Sequence, residues 1–73
     1  MELRRMATWV DGANRVVGQI SQGVQRGAGG RPEAVYVAEA IGLPAGGCPR
    51  FACAKKKVEG ALLVAGVRAR VVM

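Results

Sequence analysis

The sequence predicts a small α+β unit: a long N-terminal amphipathic helix, a short second helix, and a C-terminal helix and strand with an edge strand beside them. Three observations carry this expectation. Apolar residues recur at helical spacing from Leu3 to Arg26. A glycine-rich break, Gly27-Ala28-Gly29-Gly30-Arg31, precedes Pro32 and Glu33, residue types suited to a first helical turn. The end of the chain alternates, with Val67, Ala69, Val71 and Met73 set against Arg68 and Arg70. A mostly helical, partly disordered chain is the alternative.

Residues 1–26 are read as the long helix. On a wheel of about 100° per residue, Leu3, Met6, Trp9, Val10, Ala13, Val16, Val17, Ile20 and Val24 share an arc of roughly 140°. Arg4, Arg15 and Arg26 recur on the opposite face, about 16 Å apart along the axis. Gly12, Gly18 and Gly23 oppose a helix by about 1 kcal/mol each relative to Ala. Trp9-Val10-Asp11-Gly12 followed by Arg15-Val16-Val17 also fits strand, turn, strand, because Asp-Gly favours a tight hairpin. The helix is preferred because the separation of faces persists over about six turns.

Residues 27–31 read as a linker and residues 32–73 as a helix–turn–strand–helix–strand unit. Pro32 to Ile41 forms the short helix, stopped by Gly42 and Pro44. Leu43 to Gly47 is a turn, and Cys48 to Ala54 is extended, an edge strand because of Pro49. Val58 to Ala65 suits a helix or a buried strand, and Gly66 ends it. Val67 to Met73 is the clearest strand.

Composition narrows the function classes. The chain of 73 residues carries eleven Lys and Arg against five Asp and Glu, a formal charge of +6. Such a balance favours anionic partners. Histidine is absent, and Glu2, Asp11, Glu33, Glu39 and Glu59 are scattered. No Ser–His–Asp or Cys–His arrangement is therefore available, and no enzyme activity is expected. Cys48 and Cys53 cannot fill a tetrahedral zinc site by themselves. No metal or cofactor is expected, and the glycines match neither nucleotide-binding fingerprint. No apolar run reaches the roughly 18 residues of a membrane span, and a cytoplasmic location is expected.

Two surfaces are candidates. The apolar face of the first helix, through Trp9, Val16, Val17 and Ile20, would dock a protein partner or a second copy. This makes a non-enzymatic accessory or interaction protein the first functional expectation. Arg4, Arg15 and Arg26, with Arg50, Lys55, Lys56, Lys57, Arg68 and Arg70, would bind the phosphates of nucleic acid without sequence preference. That is the second expectation, and the later cations would converge if the last strand lay beside the lysine run. A membrane surface fits less well, since Asp11 and Glu2 oppose it. A fragment or chance reading frame without selected function is the third.

The run Val37-Ala38-Glu39-Ala40-Ile41-Gly42-Leu43-Pro44-Ala45-Gly46, then Val58 with Ala61-Leu62-Leu63, then Val67 to Val72, resembles a segment of the aldehyde dehydrogenase cofactor-binding domain. The resemblance spans residues 32–72. It implies a helix ending in the Gly-Leu-Pro-Ala-Gly turn, then strand, helix and strand. Arg31-Pro32-Glu33 stands where that family has a Lys-Pro segment contacting the nucleotide. Neither its catalytic cysteine context nor its glutamate base is present. The resemblance thus implies the alternation of elements, and neither activity nor NAD binding.

Overall fold

The computed structural model describes residues 3–73. Met1 and Glu2, which open the segment expected as helix 1–26, lie outside the described residues. The rest of that segment is a β-hairpin: β1 (Arg4–Val10) and β2 (Val16–Arg26). The second hairpin pairs β3 (Pro32–Ala40) with β4 (Leu43–Cys48), where a short helix and a turn were expected. The chain continues into α1 (Phe51–Val64) and ends in β5 (Arg70–Val72). The five strands form one antiparallel sheet in the order β4-β3-β2-β1-β5. The α+β unit led by a long amphipathic helix is therefore corrected to a mostly-sheet fold with a single helix. The helix that the aldehyde dehydrogenase resemblance implied before Gly42 is strand β3.

Local chemistry explains the first hairpin. Residues 12–14 make a three-residue loop, and its last member, Asn14, takes a left-handed φ of 59°. Asn is among the few residues that tolerate this conformation. The Asp11 carboxylate closes the loop: Oδ1 accepts from the N–H groups of Ala13 and Arg15, each at 2.9 Å. Oδ2 accepts from Nε of Arg15 at 3.2 Å. These bonds favour the ionised carboxylate, the Arg15 backbone N–H most strongly, and hold the Asp11 pKa below its ordinary value of 3.8. The stability Asp11 contributes is therefore fully present above its unfolded pKa and is lost as pH falls through the lower folded value. Asp11→Asn keeps an acceptor but removes the titration. It is expected to flatten the acid limb of a plot of Tm against pH between about 4 and 2.

α1 packs across one face of the sheet. Ala54, Val58 and Leu62 recur every four residues and are buried on it. They meet Ala7, Trp9, Val17, Ile20, Ala38 and Cys48 from the strands. Tyr36 and Phe51 close one end of this core edge-to-face, with ring centroids 5.9 Å apart. At Gly18 a Cβ would come within 2.7 Å of Cγ1 of Val58. The glycine that opposed a helix is the position at which β2 admits the helix side chain. α1 ends in a two-bond cap: Gly66 N–H donates to Leu63 O at 3.1 Å and Val67 N–H to Leu62 O at 3.0 Å. Gly66 takes the positive φ of 71° that this cap requires. Val67 then packs beside Leu62 against the core.

Cys48 is buried and Cys53 exposed, and both are free thiols. One thiol is expected to react promptly with a thiol reagent in the native protein, and the second only in denaturant. Equal, rapid labelling of both would contradict the burial of β4 under α1.

Candidate functional site

The register of the strands decides which cations share a surface. Arg4, Gln22, Tyr36 and Cys48 lie in one row across β1, β2, β3 and β4. At about 4.8 Å per strand, the row is about 14 Å wide. Beyond it β2 and β3 continue as a two-stranded arm that no other described strand flanks, exposed from the pair of Val24 with Ala34 to that of Arg26 with Pro32. A tight turn over Ala28–Gly30 joins them. Three pairs at about 3.3 Å per residue project the arm about 10 Å. The outline is elongated, 44 × 20 × 17 Å.

Arg26 and Arg31 stand at the tip of this arm, and both are exposed. At its root, Arg4 and Arg5 lie on the β1 side, and Arg50, two residues past Cys48, lies on the β4 side. Arg50 also borders a surface depression of about 480 Å³ with Lys56 and Lys57. Among the described residues, Glu33 is the one carboxylate at this end of the sheet, folded back over Gly27. The one ion pair among the described residues is at the opposite end, Arg15 with Asp11. Among the described residues, Glu33 is thus the one acid beside the cations around the arm, and it forms no ion pair with them.

Several expectations from the sequence are redrawn by this geometry. Arg15 does not line up with Arg4 and Arg26; it sits in the β1–β2 turn at the far end of the sheet. Arg68 and Arg70 also lie there, lining a depression with Asp11 and Asn14, and Arg70 donates to Oδ1 of Asn14 at 3.1 Å. The later cations thus do not converge, because α1, about 21 Å long, separates Arg50 from Arg68. Lys55, Lys56 and Lys57 are exposed along the first half of α1. Lys56 and Lys57 also border an apolar groove of about 640 Å³ lined by Ile41, Leu43, Ala61 and Val64.

The proposed docking face does not survive. Trp9 is 3% exposed, Val17 6% and Ile20 0%, whereas Val16 is exposed. Three of the four side chains expected to bind a partner belong to the core of this chain, and the segment meant to carry them as an amphipathic helix is a β-hairpin. Arg5 and Arg31 were missed from the sequence. The signal for Arg31 was the glycine-rich break itself: read as a hairpin tip, it sets Arg26 opposite Pro32 and Gly27 opposite Arg31, which brings both arginines to the tip.

Among the described residues, no three His, Cys, Asp or Glu gather where they would hold a metal ion. No described helix is long and apolar enough to cross a membrane. No protein-family model, no curated protein and no solved structure matches this chain.

Proposed function

We propose that the protein is a small basic nucleic-acid-binding module that grips the phosphate backbone without sequence preference. The observation that carries this is the clustering of Arg4, Arg5, Arg26, Arg31 and Arg50 on and around one projecting arm, with Glu33 the single carboxylate beside them among the described residues. Guanidinium groups suit phosphate oxygens because their fork of donors matches them two at a time. Neutralising a phosphate releases a condensed counterion, so binding of this kind weakens steeply as salt rises.

The experiment is a fluorescence-anisotropy titration of a labelled 20-base-pair duplex at several salt concentrations. Five phosphate contacts predict a slope of about −4.5 in log K against log salt, a fall of about 500-fold between 50 and 200 mM. A slope near zero, or no binding at 50 mM, would refute the assignment.

A further inference from the structure

We propose that the groove between α1 and the β3–β4 turn binds a single-chain anionic amphiphile, a long-chain carboxylate taken up as a free monomer. The groove has a volume of about 640 Å³, a size typical of small-molecule sites. Gly60, Ala61 and Val64 of α1 line one side of it, and Ile41, Gly42 and Leu43 the other. No side chain of this protein fills the space: a Cβ at Gly42 or at Gly60 would meet no atom within 4 Å. Glycine disfavours a helix interior, yet α1 carries Gly60 where it borders the groove. Ile41 is about half exposed and Val64 is 91% exposed. Exposed apolar side chains gathered in one groove and rimmed by charge mark a binding surface. The groove lies at the other end of β3 from the arm, about 30 Å along the strand from Pro32 to Ile41, and is independent of the duplex assignment.

Charge selects the occupant. Lys56 and Lys57 line the groove toward the start of α1, and Arg50 borders the adjoining depression with them. Among the described residues no carboxylate lines the groove: Glu39 borders a depression with Val16, and Glu59 one with Trp9 and Leu62. An anionic head is therefore drawn to the lysine end. From Lys56 to Val64 the helix runs about 12 Å, along which an alkyl tail covers Leu43, Ala61, Ile41 and Val64. A second copy seated by the same face would bring a second set of lysines to it, and like charges oppose that contact. A protein partner needs about 800 Å² on each side, roughly a sixth of the chain's surface of 5172 Å². The apolar walls here are only a few side chains long, which suits one alkyl chain.

The test is isothermal titration calorimetry of the full chain with three probes, each below its micelle concentration: dodecanoate, dodecyltrimethylammonium and butanoate. Dodecanoate is expected to bind saturably at one site. Dodecyltrimethylammonium, with a tail of the same length and the opposite charge, is expected to bind about tenfold more weakly. Butanoate, with a similar head and almost no tail, is expected not to bind. Val64→Glu is expected to weaken dodecanoate binding about tenfold by setting a like charge in the groove. Leu63→Glu makes the same charge change at an exposed neighbour outside the groove and is expected to leave binding unchanged. Both positions are exposed, and a urea melt of each variant verifies its fold. Lys56→Gln with Lys57→Gln is expected to abolish the preference for the anionic amphiphile. Equal affinity for the two charged amphiphiles, or equal losses in the two Glu variants, would show detergent-like association with exposed side chains and overturns the proposal. No saturable binding of dodecanoate overturns it as well. Capture of the chain by phosphatidylglycerol vesicles in that case would assign the lysines to a membrane surface instead.

Discussion

Ile20→Ala is expected to leave the chain largely unfolded at 25 °C. Ile20 lies at the centre of β2, opposite Ala7 on β1 and Ala38 on β3, and is completely buried. Its partners on both neighbouring strands are alanines, which are too small to fill the space it would leave. Truncating a buried isoleucine costs about 2–5 kcal/mol, with the upper part of the range applying where the site cannot collapse. A core of this size supplies only about 3–5 kcal/mol in total. The loss therefore consumes most or all of the margin. Far-UV circular dichroism and urea melts check this directly. Val16→Ala, at an exposed position four residues away on the same strand, is expected to change stability by less than about 0.5 kcal/mol. A native-like melt for Ile20→Ala would show that the core is not where the structure places it. Trp9, expected from the sequence to be a docking residue, is expected to behave as Ile20 does.

The double substitution Arg26→Gln with Arg31→Gln is expected to weaken duplex binding about 60-fold at 0.1 M salt and to reduce the salt slope by about 1.8. Arg68→Gln with Arg70→Gln removes the same net charge from the opposite end of the sheet. It is expected to leave the slope within about 0.3 of the native value. The comparison separates a located interface from a general electrostatic attraction, because only the former distinguishes the two pairs. Equal losses for both would show that net charge, rather than the arm, drives association. Since Arg26, Arg31 and Arg68 are exposed and their side chains form no ion pair within the described residues, their removal does not disturb the core. Arg70 does donate to Asn14, so a melt of that variant accompanies its binding curve.

The reason the first hairpin looked like a helix is itself structural. Regular strands alternate with a period of two, but β1 and β2 are irregular. Their register shifts between Arg5 and Ala7, and again where Val10 pairs with Val16. Each shift inserts one residue and moves the alternation by one place. A run of twos interrupted by threes mimics the 3.6-residue spacing of a helix, and the apolar residues from Leu3 to Val24 fell on one face of the wheel for that reason. Pro32 to Ala40 misled differently. Pro and Glu suit a helix start, yet Val35 and Val37 are stiff at the branched carbon and the whole segment pairs with β2. Tertiary pairing overrode the local preference.

What the residues determined unaided was the punctuation and the charge. Gly27 to Gly30 marks a break, Gly42 a stop and Gly66 the end of an element, and Asp11-Gly12 offered a hairpin turn as the alternative to the helix, because each depends on backbone freedom or a short polar side chain acting within a few residues. The surplus of Lys and Arg, and the lack of any imidazole, are likewise properties of composition. What only the folded chain decided was which side chains lie together. Pairing between strands buried Trp9, Val17 and Ile20, and α1 held Arg68 and Arg70 away from Arg50. Pairing of β2 with β3, between β1 and β4, brought Arg4, Arg26, Arg31 and Arg50 around one arm. Those neighbours are set by hydrogen bonds between segments distant in the chain, and no local periodicity encodes them.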